Sequence, residues 1–199
     1  MEIINRDELR IRKEEIKKRI LKGEIFIYPT DTIYGLGCNG VLQKSVEKVR
    51  VLKGRPKAPF SVIPPSVDWV LKNCEITKEG EKWIKKLPGP YTLIFKCLDE
   101  KCIANAINPD VDTIGVRVPM HWFTVFLKEI GVPIVTTSAN IVGKVFMKSL
   151  ENLDSEIKKG VSFCIYEGEK KGKPSKIINL TEKRKMMGIS IGPKITKRK

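Results

Sequence analysis

Four short segments concentrate the residues whose chemistry could act on a charged small molecule: PTDTIYGLG at 29–37, KGRP at 53–56, GVRVP at 115–119 and TTSAN at 136–140. Each sets small, hydroxylated or cationic side chains beside an apolar run, which suits a phosphorylated ligand held against backbone N–H groups. In the first, the hydroxyls of Thr30 and Thr32 alternate with Asp31, while Gly35 and Gly37 let the backbone turn and approach a ligand. A hydroxyl and a carboxylate at a strand end can grip an amino acid or a metal-bound phosphate; Asp31 can equally close an Asx turn. Lys53 and Arg55 flank a glycine, so they can leave a helix face and converge on one anion. Arg55 would supply a planar fork and Lys53 a compact point charge.

Arg117 alternates with Val116 and Val118 between Gly115 and Pro119. A guanidinium on a half-buried strand must be paired or solvated in a cleft, so it binds either a protein carboxylate or a ligand anion. TTSAN follows the apolar run PIV, and its Ser138 and Asn140 stand where open α/β sheets bind ligands, beyond the strand ends; a helix cap would use the same residue types.

The elements that must position these groups are legible from periodicity. Residues 7–22 place Leu9, Ile11, Ile16 and Ile20 near one stripe, which predicts an amphipathic helix capped by Asp7 and stopped by Gly23. Strands are expected at 24–28, 59–63, 92–97, 113–118, 133–137, 162–166, 176–180 and 188–191, and helices at 43–53, 66–73, 77–87, 121–130 and 149–159. PTDTIYGLG then follows a strand and KGRP follows a helix. The alternation predicts an α/β fold, a twisted mixed sheet with flanking helices. The 199 residues read as one domain, with a short basic tail at 194–199 and a segment at 142–149 that moves without ligand.

Composition narrows the chemistry. Lys and Arg outnumber Asp and Glu by 38 to 23, a net charge of +15. That excess favours polyanionic partners, a nucleotide or an RNA, although a Lys-rich surface alone would produce it. The five cysteines form no C-x-x-C pair and read as buried thiols of a reducing compartment. His121 is the only histidine, which excludes a histidine-rich metal site and leaves little for a Ser-His hydrolase. Neither a P-loop nor a dinucleotide fingerprint is present. No apolar run reaches the roughly 18 residues of a membrane helix, and a cytoplasmic protein is expected.

With the four segments in this order, and with PGPYTLIF at 88–95 and PSKIINL at 174–180, the chain resembles the YrdC family of threonylcarbamoyl-AMP synthases from about residue 10 to residue 195. The resemblance implies a YrdC-like fold around a basic cavity. It implies a nucleotidyltransferase that takes L-threonine, bicarbonate and ATP, with Mg²⁺, to threonylcarbamoyl-AMP and pyrophosphate for tRNA modification. It also implies a downstream threonylcarbamoyl transferase complex as partner. Thr30, Thr32, Arg117, Thr136 and Ser175 would bind the threonine, and Lys53, Arg55, Ser138 and Asn140 the nucleotide, with Lys53 and Arg55 stabilising charge on phosphate. No residue would serve as a resident metal ligand. The chain departs from the family where Val62, Ile63 and Pro64 replace a V-H-I strand end, where Lys176 follows Ser175, and where 189–194 lacks an arginine. The other reading is a paralogue of the same fold that binds double-stranded RNA or tRNA through dispersed lysines and arginines.

Overall fold

A computed structural model of the chain describes residues 1–181 together with Ile195 and Thr196. In chain order the strands are β1 (Glu2–Ile4), β2 (Phe26–Tyr28), β3 (Gly35–Gly37), β4 (Ser61–Ile63), β5 (Tyr91–Lys96), β6 (Thr113–Arg117), β7 (Ile134–Ser138), β8 (Phe163–Ile165), β9 (Lys176–Asn179) and β10 (Ile195–Thr196). The helices are α1 (Arg6–Ile11), α2 (Lys13–Leu21), α3 (Gln43–Lys53), α4 (Val67–Asn73), α5 (Lys78–Ile84), α6 (Trp122–Glu129) and α7 (Ser155–Gly160). The strands form one mixed sheet in the order β1-β8-β2-β3-β7-β4-β6-β5-β9-β10. The β1–β8, β2–β8, β4–β6 and β5–β9 pairs are parallel and the rest antiparallel. This is the twisted mixed sheet expected.

Side chains alternate across each strand, so the sheet needs a cover on both faces. Phe26, Tyr28, Ile134, Phe163 and Ile165 point to one face and meet Leu9 of α1, Ile16 and Ile20 of α2, and Phe123, Phe126 and Leu127 of α6. Ile27, Val116, Val135 and Cys164 point to the other and pack with Val46 and Val49 of α3, Val70 of α4 and Ile157 of α7. Ile16, Ile20 and Phe123 are fully buried, and each such side chain stabilises the cover by about 2 kcal/mol.

The N-terminal helix departs from its expected form. It breaks at Arg12, which leaves the helical region (φ −99°, ψ 22°), and the turn of the chain leaves Ile11 85% exposed instead of on the buried stripe. Its cap is Asn5, whose side chain accepts from the N–H groups of Asp7 and Glu8 while Glu8 reaches back to the Asn5 N–H, a capping box. Gly23, at φ +91°, ends the second helix as expected. The helix expected at 149–159 is shorter, α7, because Asp154 caps it.

Three strands, β1, β3 and β10, lie outside the sequence reading. β1 precedes the first helix and pairs in parallel with β8, some 160 residues away. β3 is Gly35–Gly37 itself. These glycines have no positive φ and are extended. What requires glycine is the Tyr28 ring lying across the strand: a Cβ at Gly35 would stand 2.7 Å from Tyr28 Cζ, and one at Gly37 2.7 Å from the Val135 carbonyl oxygen. In the segment 142–149, expected to move without ligand, Val142 N–H donates to Lys53 O, Met147 N–H to Ala139 O, Lys144 pairs with Asp154 and Met147 is fully buried. Within the basic tail, Ile195 and Thr196 pair with Ile178 and Ile177 of β9; the rest of the tail and the strand expected at 188–191 lie outside the described residues.

Candidate functional site

The central strands β3, β7, β4 and β6 bring distant residues side by side. Gly35 pairs with Ser138, Thr136 with Ser61, and Ser61 with Gly115, while Thr92 of β5 stands opposite Arg117 of β6. Gly115 makes room for the neighbouring Ser61 hydroxyl, which a Cβ would meet at 2.5 Å. The strand ends and the turn after β2 enclose a cavity lined by Thr30, Thr32, Tyr34, Ser61, Thr92, Arg117, Thr136, Ser138 and Ser175, among others. Hydroxyls and one guanidinium therefore dominate its chemistry.

The turn after β2 is knotted by Thr30. Its Oγ1 donates to the Ile33 carbonyl at 2.6 Å and accepts from the N–H groups of Thr32 and Ile33. With its one proton on Ile33 O and two N–H groups facing its lone pairs, Thr30 has its capacity filled by the turn, and Thr32 Oγ1 stands 3.0 Å away. Thr30 thus builds the turn, and Thr32 keeps acceptor capacity on the pocket side.

Arg117 reaches from β6 to that turn. Its guanidinium donates to the Asp31 carboxylate and the Gly89 carbonyl, and stands 3.4 Å from Thr32 Oγ1. The two side chains are 5% and 13% exposed, so this is a buried ion pair. Burial pulls the Arg117 pKa below its ordinary value, and the Asp31 charge works against that fall. Of the two partners open to Arg117 in the sequence, the protein carboxylate is present, and Arg117 also lines the cavity.

On the opposite wall Tyr28 donates from its phenol to Thr136 Oγ1 at 2.5 Å. Burial raises the phenol pKa above its usual value and keeps the donor protonated, so the Thr136 proton is directed elsewhere. Ser175 and Thr92 share a hydrogen bond at 2.8 Å, which fixes the segment before β9 as the outer wall. That wall is pinned further by Tyr34, which donates to Gly168 O at 2.6 Å, and by Gly172, where a Cβ would fall 2.0 Å from Thr32 O.

The nucleotide-side candidates are arranged differently. Lys53 is 1% exposed and donates to Ser138 O (2.5 Å), Asn140 O (2.7 Å) and Asn140 Oδ1 (3.2 Å). Ser138 Oγ donates to Asn140 Oδ1 at 2.5 Å, so Lys53, Ser138 and Asn140 form one unit. Arg55 instead donates to Ala58 O and Pro59 O and lies 5.2 Å from the Phe60 ring. The structure brings Thr30, Thr32, Arg117, Thr136, Ser138 and Ser175 onto one cavity, joins Lys53 and Asn140 to it through Ser138, and sets Arg55 on the adjoining loop.

Tyr28, Ser61 and Thr92 escaped the sequence reading because each sits inside an apolar run. Only sheet register reveals them. A larger cavity of about 430 Å³ beside β6 is lined by Glu100, Asp110 and Asp112, whose charge repels phosphate. Among the described residues, no three His, Cys, Asp or Glu side chains are grouped to hold a metal, and all five cysteines are free thiols. No helix there is long and apolar enough to cross a membrane.

Residues 18–188 match the family model for Sua5, YciO and YrdC, described as telomere recombination. The chain is 35% identical over 186 residues to a putative threonylcarbamoyl-AMP synthase of Methanocaldococcus jannaschii, covering 90% of this chain and 85% of that one. It is 33% identical over 184 residues to the threonylcarbamoyl-AMP synthase of Pyrococcus abyssi, covering 87% of this chain and 54% of the relative. The crystal structure of P. abyssi Sua5 complexed with L-threonine superposes with a TM-score of 0.79 at 31% identity, over 92% of this chain and 55% of that one. The chain thus spans about half the length of the P. abyssi protein and most of the M. jannaschii one. A sheet that sets Thr32, Arg117, Thr136 and Ser138 around one cavity, and a family match running across nearly its whole length, make this chain a member of the Sua5/YciO/YrdC family.

Proposed function

We propose that the chain is an L-threonylcarbamoyladenylate synthase, a nucleotidyltransferase making threonylcarbamoyl-AMP from L-threonine, bicarbonate and ATP. The observation that carries the reading is the convergence of Thr32, Arg117, Thr136 and Ser175 on one cavity whose rim continues into the Lys53–Ser138–Asn140 unit. An amino acid with a hydroxyl and a carboxylate fits the first part. A phosphate chain fits the second.

In this reading Arg117, steadied by Asp31, takes the threonine carboxylate, and Thr32, Thr136 and Ser175 orient its hydroxyl and amine. The threonine ammonium combines with bicarbonate to give a carbamate, water and a proton. A carbamate oxygen then bonds to the α-phosphorus as the bond to the β-phosphate oxygen breaks and pyrophosphate leaves. Arg55, Ser138 and Asn140 hold the nucleotide, and Lys53 adds positive charge from beneath the 138–140 turn. Holding two anions in line, under donors already fixed by the fold, supplies the rate gain. The wall at 166–175 keeps water from the labile carbamate.

Magnesium belongs to this proposal as the companion of ATP. Mg²⁺ keeps several waters and binds phosphate oxygens, so it does not need the carboxylate cluster that the described residues lack, and the hydroxyl-rich lining fits it. Bound there it would neutralise phosphate charge. Reaction in the cytoplasm, hand-over of the adenylate to a threonylcarbamoyl transferase complex and contact with tRNA complete the proposal. The free thiols and the net charge of +15 support them.

Pyrophosphate release from Mg-ATP, with threonine and bicarbonate added singly and together, tests the reading. Release that requires both and falls with Arg117→Ala is expected. Release independent of both would overturn it.

A further inference from the structure

Arg50 lies on α3 one turn before Lys53, and it is only 7% exposed although it is a surface helix residue by sequence. Among the described residues its guanidinium meets no carboxylate within ion-pair distance; it is spent on backbone carbonyls. Nε donates to Ala106 O at 2.5 Å and Nη2 to Ile107 O at 3.1 Å. Nη1 donates to Arg55 O (2.8 Å), Pro56 O (3.1 Å) and Ala58 O (3.2 Å). Its Cζ stands 4.7 Å from the Phe60 ring, and Arg55 stands 5.2 Å from the same ring. Ala58 O is shared, since it also accepts from Arg55 Nε at 3.2 Å.

We propose that Arg50 is a positioning residue for nucleotide binding: it fixes the 55–60 loop by its carbonyls and so sets the direction of the Arg55 guanidinium. The inference rests on the synthase reading for the identity of the nucleotide, and it assigns Arg50 a part that the sequence pattern K-x-R does not contain. The physical ground is satisfaction of backbone acceptors. The loop leaves α3 through Gly54 in the left-handed region (φ +59°) and makes few bonds of its own before Phe60 N–H reaches Ile107 O. A planar fork can hold several carbonyls pointing in different directions; an ammonium on a single stem cannot reach both 55–58 and 106–107. Lys53, one turn on, does the same for Ser138 and Asn140, so the last turn of α3 anchors both segments assigned to the nucleotide. A guanidinium no longer held toward phosphate loses part of a charge-assisted bidentate contact, which sets the scale of the expected effect at about tenfold.

The test compares Arg50→Lys with the parent in equilibrium binding of Mg-ATP and of L-threonine by calorimetry, with amide exchange read at Arg55 and Phe60. Expected are about tenfold weaker ATP binding, unchanged threonine binding and faster exchange at both amides, in a protein whose far-UV spectrum is unaltered. Adding Arg50→Lys to Arg55→Ala is expected to weaken ATP binding little further, because the arginine being aimed is already absent. Unchanged ATP affinity alongside faster exchange would overturn the proposal, leaving Arg50 a structural residue only. Equal losses for ATP and threonine would overturn it as well. These readouts need no turnover, so a chain that binds ATP through this loop but releases no pyrophosphate sinks the synthase reading and leaves the role of Arg50 standing.

Discussion

Tyr28 of β2 donates its phenol proton to Thr136 of β7 at 2.5 Å across the whole width of β3, and it reaches that far because β3 presents only hydrogens at Gly35 and Gly37. The ring is fully buried against Phe26 and Phe123, so the Thr136 wall of the pocket is tied to the hydrophobic face beneath α6. Gly35→Ala sets a methyl 2.7 Å from Tyr28 Cζ. It is expected to destabilise the protein by about 1–3 kcal/mol through overpacking and to raise the threonine KM. Urea denaturation and threonine titration of activity check it. Tyr28→Phe, which keeps the ring and removes the bond, is expected to cost about 1 kcal/mol and to affect the threonine KM alone.

The Arg117–Asp31 pair is buried and serves the pocket while it strains stability. Removing one member strands the other, so Arg117→Met is expected to cost about 3–5 kcal/mol, and Asp31→Asn to be harmful in its own right. The double variant Asp31→Asn/Arg117→Met is expected to recover part of the stability and none of the activity. Denaturation midpoints beside pyrophosphate release read the two effects separately; additive losses in stability would contradict a coupled pair.

Lys53 is the brace of the 138–140 turn. Lys53→Met takes the ammonium donor from the carbonyls of Ser138 and Asn140; Ser138 O keeps the Asn140 N–H at 3.0 Å, so the loss falls mainly on the Asn140 carbonyl, at about 1–3 kcal/mol. The expected outcome is a lower melting temperature together with loss of ATP binding, whereas Asn140→Ala is expected to lose ATP binding with a smaller fall in melting temperature.

His121 makes the outer wall pH-sensitive. Its Nδ1 accepts from Phe123 N–H at 3.3 Å as the cap of α6, so Nε2 carries the proton and donates to Glu167 at 2.9 Å. Glu167 also accepts from Trp122 Nε1 at 2.7 Å and pairs with Lys170. Burial lowers the His121 pKa from 6.5, against the pull of Glu167. Burial also opposes the Glu167 charge, but the bonds from Lys170, Trp122 and His121 outweigh it and hold its carboxyl below 4.5. A histidine harder to protonate when folded contributes stability that is complete above pH 6.5 and is lost as pH falls through its folded value. The melting temperature is therefore expected to drop as pH falls from about 7 toward 5, and His121→Asn, which can still cap the helix, is expected to flatten that slope. A slope unchanged in the variant would assign the effect to other groups.

The chain by itself determined its elements and its chemistry. Residues 43–53 become α3 and Gly23 ends α2 because local periodicity and turn residues are written along the chain; Arg117 stands out as a charge inside an apolar strand, Thr136 and Ser175 were legible only through the family resemblance, and sheet register sets them on one cavity. Tertiary structure decided what no window could show. β1 exists only because β8 offers it a parallel edge, and β3 is a strand of glycines because Tyr28 needs the space above it. Lys53 and Arg55, two residues apart, part company: one is claimed by the carbonyls of 138–140 and the other by those of 58 and 59. Which acceptors a cation finds depends on carbonyls brought close by the folded chain, not on neighbours in sequence. Spacing therefore announced the charges, and only the packed sheet and its loops settled their partners.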